Sequence, residues 1–119
     1  KVGEHQQAER YYQIYFSLTK DRAKPEVMYA YAWHQRRKEN WAEAVQYWSL
    51  AAEKDHLPSI IELSKYYEHQ VKDIKQALYW FNKVTVHDTD LLTLLKDDIE
   101  KRKNRLERKS AINDKNRGF

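Results

Sequence analysis

The sequence predicts an all-α fold, and three observations carry that prediction. Only two glycines occur in 119 residues, Gly3 and Gly118, so nothing between them supplies the easy positive φ that tight β-hairpin turns require. Apolar side chains recur at three- and four-residue spacing along nearly the whole chain, as in Ala44, Val45, Trp48 and Ala51. Both prolines, Pro25 and Pro58, stand where a helix can begin, because a missing N–H is harmless in a first turn.

Six helices follow in order. The first is expected over 4–20, with Ala8, Tyr11, Tyr12, Tyr15, Phe16 and Leu18 as its apolar set, and the charged stretch 20–24 ends it. Pro25 opens a second that runs through Met28, Tyr31 and Ala32 to about Lys38, with Glu26 favoured at its positive end. Glu39 and Asn40 turn the chain, and Trp41 begins a third helix to about Lys54. Pro58 opens the fourth, carrying Ile60, Leu63, Ser64 and Tyr67. A turn near Val71–Asp73 leads to the fifth, with Ile74, Ala77, Leu78, Phe81 and Val84. Asp88, Thr89 and Asp90 can cap a sixth over 91–108, so the helical domain spans 1–109 and 110–119 reads as a flexible tail.

Composition excludes whole classes of function. Charged residues make up 34% of the chain and mean hydropathy is −1.00. No apolar run approaches the ~18 residues a membrane span needs, so no membrane partner is expected and the protein reads as cytoplasmic. The absence of cysteine removes disulfides, thiolate zinc sites and cysteine nucleophiles, and fits a reducing compartment. Without interior glycine there is no phosphate-cradling loop. The five histidines show no i,i+4 pairing, and no serine lies in a GxSxG elbow. No catalytic residue, cofactor or metal site is therefore expected. Lys1 is not an initiator Met, and the chain reads as a piece of a larger protein.

The chain also repeats. Pro25 and Pro58, Ala44 and Ala77, Tyr47 and Trp80, Trp48 and Phe81, and Asp55 and Asp88 are all 33 residues apart. Ala8-x2-Tyr11-Tyr12 matches Ala44-x2-Tyr47-Trp48 at an offset of 36. Two full copies are expected at 25–55 and 58–88, preceded by a half repeat at 4–20. The copies read Met28-x2-Tyr31-Ala32-x2-Gln35 with Ala44-x3-Trp48, and Ile60-x2-Leu63-Ser64-x2-Tyr67 with Ala77-x3-Phe81.

This pattern resembles the tetratricopeptide (TPR) repeat. His56 and Thr89 stand where that repeat usually has proline, and the second inter-helix turn is one residue longer, which leans toward Sel1-like variants. The resemblance implies a short α-solenoid of antiparallel helix pairs, closed by a charged capping helix. Within it, the run HLPSIIELSKYYEHQVKDIKQAL and the following KDDIEKRKNRLERK resemble the C-terminal repeat tail of bacterial ribonuclease-H-like exonuclease proteins. None of that family's nuclease carboxylate motifs is present here, so the resemblance carries over no catalytic residue and suggests only that the parent protein is a nuclease.

In a TPR array the first helix of each pair lines a concave groove. The resemblance therefore implies a partner-binding set of Tyr29, Trp33, Arg36 and Arg37, followed by Ile61, Lys65, Glu68 and His69. An exposed Tyr-Trp-Arg set suits a binding hot spot, while the plainer reading packs Tyr29 and Trp33 on the first helix or on a preceding repeat. Tyr29, Ala30 and Trp33 do not reproduce the carboxylate clamp that grips acidic chaperone tails. The expected role is a non-catalytic protein-interaction module with a protein or peptide partner.

Charge gives the alternative. Residues 96–117 hold nine Lys and Arg against five acids, which accounts for the whole net charge of +4. Lys101, Arg105 and Arg108 form one helical face that suits weak, non-specific nucleic-acid contact, the accessory role of a nuclease tail. A solvating cap explains the same charge, since a terminal repeat has no neighbour. The stripe Leu92, Leu95, Ile99 and Leu106 supports packing of that cap on the fifth helix.

Overall fold

The computed structural model describes the backbone of residues 2–84 and 96–117. Within them lie six α-helices and no strand: α1 (Val2–Thr19), α2 (Pro25–Arg37), α3 (Trp41–Glu53), α4 (Leu57–Tyr66), α5 (Ile74–Val84) and α6 (Lys96–Arg117). A 3-10 turn, Lys20–Arg22, follows α1, and a π-helical turn, Tyr67–Val71, continues α4. No helix among the described residues is long and apolar enough to cross a membrane. The chain divides into two compact units, Lys1–His56 and Leu57–Phe119.

One local expectation changes. The last helix runs to Arg117 rather than ending near Arg108, so residues 110–117 are helical and not a flexible tail. Between Lys96 and Arg117 there is neither Pro nor Gly, and Lys, Arg, Glu and Leu are strong helix formers. The Asp88-Thr89-Asp90 cap, Leu92 and Leu95 lie outside the described residues.

Helix ends here are made without glycine. Lys20, Glu39, Asp55 and Lys72 all take positive φ, between 49° and 62°. Behind Glu39, the Asn40 N–H donates to the Gln35 carbonyl at 2.9 Å and the Glu39 N–H to the Arg36 carbonyl at 2.9 Å. That pair is a Schellman closure, which usually places Gly at the left-handed step. His56 to Ala51 and Asp55 to Ala52 repeat it at the end of α3. At the end of α4 the Asp73 N–H reaches back to Tyr67 at 2.8 Å, one residue farther than Asn40 reaches to Gln35. The extra residue of the second copy is thus absorbed as π-helix. Asp73 then caps α5, accepting the Gln76 N–H on Oδ1 at 3.2 Å.

In the first unit, α2 packs on α3 across the turn at Lys38–Asn40. Met28 near the start of α2 clusters with Ala51 near the end of α3, whereas the Tyr31 hydroxyl approaches Glu43 near its start. Ala32, Ala44, Trp48 and Ala51 have at most 1% exposure. Helix α1 adds an aromatic layer: Tyr12 and Phe16 stand edge-on to Tyr31 at 5.1 and 5.3 Å, and Phe16 lies 4.9 Å from Tyr47. Burial first, and the Glu43 charge second, push the Tyr31 hydroxyl up to about 12. Lys54 donates to the carbonyls of Asp21 and Ala23, pinning the α1–α2 connection to the end of α3. Gln35 and Lys38 donate to Glu9 of α1, and the Lys38 hydrogen bond leads in holding that carboxyl below its ordinary value.

In the second unit, α4 packs on α5 and α5 on α6. Ile60, Leu63, Ala77, Phe81, Val84 and Leu106 form its core, each at most 1% exposed. The buried Ser64 hydroxyl joins α4 to α5, donating to the Ala77 carbonyl at 2.8 Å. Leu106 faces inward as the sequence stripe anticipates, and Ile99 is half-buried.

Candidate functional site

The candidates on α2 form a layered aromatic surface. Tyr29 and Trp33 are half-buried, while Arg36 and Arg37 are exposed. Trp33 stands edge-on to the buried Trp48 at 5.4 Å, so part of the indole belongs to the core and part to the surface. Tyr29 meets Trp33 edge-on at 6.4 Å and the His56 ring at 5.1 Å. The ring contacts of Tyr29 and Trp33 therefore run to Trp48 and His56 beyond their own helix. The Arg36 guanidinium lies 5.0 Å from the Trp41 ring centre and 6.0 Å from that of Trp33, a cation–π arrangement on two indoles. Burial lowers the His56 imidazole below its ordinary value, with Glu26 opposing, so the ring beside Tyr29 favours its neutral form.

On α4, Ile61 is half-buried and Lys65 is exposed and paired with Glu62 at 3.3 Å. Ile61 and Lys65 share a cavity of about 230 Å³ with Phe81, Asp98, Ile99 and Arg102. His69 is exposed on the π-helical turn, with Nε2 3.3 Å from the Glu68 carboxylate. Glu68 does not join this surface, contrary to the groove expectation. It follows the buried Ser64 at i+4, and its side chain has no exposed area.

Three cations of α6 converge on that carboxylate. Arg105 donates from Nε to Oε2 at 3.1 Å and from Nη2 to Oε1 at 2.9 Å. Lys109 donates to Oε2 at 2.7 Å, and Arg102 Nη2 lies 3.2 Å from Oε1. Burial pushes the Glu68 carboxyl up, but the hydrogen bonds from Lys109 and Arg105 and the charge of Arg102 outweigh it and hold it below its ordinary value. Arg102 also lies 5.8 Å from the Phe81 ring centre.

The basic set is thus divided. Lys101 and Arg108 are exposed, whereas Arg105 is half-buried on Glu68. The repeat resemblance named Tyr29, Trp33 and Arg36 and left out Trp41, His56, Arg102 and Lys109, which the structure sets beside the named residues or on Glu68. Among the described residues no three His, Cys, Asp or Glu side chains group as metal ligands would. No protein-family model, curated protein or solved structure matches this chain.

Proposed function

We propose that this chain is a non-catalytic protein-interaction module of TPR-like helix pairs, which receives a protein or peptide segment on α2. Internal equivalence supports the repeat reading. Ala44 and Ala77 are each 0% exposed, Trp48 and Phe81 each 1%, and Ala32 and Ser64 each 0%. Met28 early in α2 meets Ala51 late in α3, and Tyr31 in mid-α2 meets Glu43 early in α3, a progression that supports an antiparallel pair.

The observation that carries the binding role is Arg36 lying against Trp41 and Trp33. An exposed guanidinium held on two indoles is a preformed anchor, and Trp, Tyr and Arg are the residues that dominate binding energy at interfaces. The rival nucleic-acid role for Lys101, Arg105 and Arg108 is weakened because Arg105 is engaged with Glu68. Display of a random peptide library on the full chain tests the proposal. Selected peptides should lose about tenfold or more in affinity on Trp33→Ala and Arg36→Ala, and little on Lys101→Ala. Their affinity should vary weakly with salt, unlike phosphate-backbone binding. A library that yields no binder, or binders indifferent to both α2 variants, overturns it.

A further inference from the structure

We infer that α1 carries a docking face for a second copy of this chain, the stripe Tyr11, Ile14 and Leu18 on the side of the helix away from Tyr12 and Phe16. This goes beyond the peptide-binding role and uses a different helix. The three side chains are 62%, 47% and 73% exposed, and Leu18 is the most exposed large apolar residue among those described. Their spacing of three and four residues keeps them on one seam, the pattern that two helices use when they pair. The other side of α1 is already occupied: Tyr12 and Phe16 stand against Tyr31, and Glu9 accepts hydrogen bonds from Gln35 and Lys38. At the matching position of α3, 36 residues on, Tyr47 is half-buried against Phe16 and Tyr31. A tyrosine there is a covered residue when its helix has a neighbour.

Charge selects the occupant. Of the described residues exposed on α1 between 6 and 18, Arg10 alone is charged, in a chain whose residues are 34% charged. Gln6, Gln7, Gln13 and Ser17 make up the flanks. A face that meets its own copy repeats every charge it carries, so a strongly charged face repels itself and a nearly neutral one does not. A different protein would be steered and selected by charge, and this face offers a single cation for that.

The stripe is also nearly symmetric about Ile14. Tyr11 and Leu18 are seven residues apart, about 10.5 Å along the axis, with Ile14 close to midway. Antiparallel pairing on a two-fold axis therefore sets Ile14 beside its own copy and Tyr11 against Leu18 of the second copy. The same pairing holds the two Arg10 cations about 13 Å apart along the helices, beyond the Debye length of about 8 Å. Parallel pairing would set them side by side. Three apolar side chains per copy fall short of the roughly 1,200 Å² that stable interfaces bury, so the dimer belongs to the weak, concentration-dependent class.

Sedimentation equilibrium of the full chain tests the face. The expected result is a monomer–dimer equilibrium with Kd between about 10 μM and about 1 mM. Ile14→Glu and Ile14→Lys each set two like charges on the two-fold axis, so each alone should stay monomeric. An equimolar mixture of the two should associate about tenfold or more tightly than either alone, which a face built for a different protein would not do. Ile14 is 47% exposed, so neither change opens the core. Amide shifts on dilution of the parent chain should centre on residues 7–18, which keeps the face testable should either variant fold poorly. A chain that is monomeric at about 1 mM overturns the inference. So do dimerisation that survives both variants, a mixture that associates no better than its components, or dilution shifts centred on α2 or α5.

Discussion

Arg105 grips Glu68 through both ends of its guanidinium, Nε to Oε2 and Nη2 to Oε1, and the carboxylate beneath it has no exposed area. A fork on a carboxylate fixes direction as well as distance. It joins α6 to the π-helical turn, two segments 37 residues apart in sequence. Apolar packing on this side of α6 centres on Leu106, with Ile99 half-buried, so the ionic cluster sets where the helix lies on the turn.

Glu68→Ala should therefore destabilise the protein by about 1–3 kcal/mol, because it strands the largely buried Arg102 while Arg105 and Lys109 can turn to water. Urea unfolding followed by circular dichroism measures the change. A loss below about 1 kcal/mol, the range of exposed pairs, would show that the cluster is solvated in solution.

Acid should act on the same residue. The folded-state value of Glu68 is depressed, so its contribution is fully present above the ordinary glutamate value, about 4.3, and is lost as pH falls through the folded value. Glu68→Gln should flatten the acid limb of a stability–pH curve below about pH 4.3. His56 adds an earlier step. Its folded value is also depressed, so the unfolded chain takes up its proton first, and stability declines as pH drops below about 6.5. His56→Gln should remove that first decline and leave the second. An unchanged curve in either variant would refute its assignment.

The 33-residue offset made the core positions legible in sequence, since burial at Ala44, Trp48, Ala77 and Phe81 depends on local periodicity alone. The fate of Glu68 was not legible in that way. It stands at i+4 from the buried Ser64, on the flank of the apolar stripe, where spacing alone does not choose between a covered and an open side chain. Glu68 stands 33 residues from Gln35, and both are buried polar side chains. Gln35 meets Glu9 of a preceding helix, whereas Glu68 meets the cations of a following one. The partner of a buried polar residue is a tertiary fact that periodicity does not encode.

The ends of the first three helices, expected at 20, Lys38 and Lys54, fall within a residue of Thr19, Arg37 and Glu53. Their left-handed steps were hidden, because glycine is the usual sign of such a step and none stands between Gly3 and Gly118. Glu39→Gly should stabilise the protein by about 0.5–1 kcal/mol: it relieves a left-handed penalty of about 1–2 kcal/mol and returns part of the gain as unfolded-state entropy. The midpoint of urea unfolding reads this directly. Destabilisation would mean that the Glu39 side chain makes a contact worth more than the strain.

The strongest test of equivalence between the two helix pairs lies at Trp48 and Phe81. Each ring is 1% exposed and each occupies the fourth position after a fully buried alanine, Ala44 or Ala77. Truncation of either to Ala should cost about 3–5 kcal/mol, since a large buried ring leaves a cavity that its helix pair can only partly close. The two sites differ in polarity. The Trp48 indole N–H is buried and meets no hydrogen-bond acceptor, so it pays a desolvation penalty that Phe81 does not. Trp48→Phe removes that unsatisfied donor while keeping an aromatic ring against Trp33 and Trp41, and should cost well under half of Trp48→Ala. Equilibrium unfolding of the three variants gives the comparison. A Trp48→Phe protein as unstable as Trp48→Ala would show that the indole N–H is bonded in solution. A Phe81→Ala protein as stable as the parent would deny the second pair the core position that the first one has.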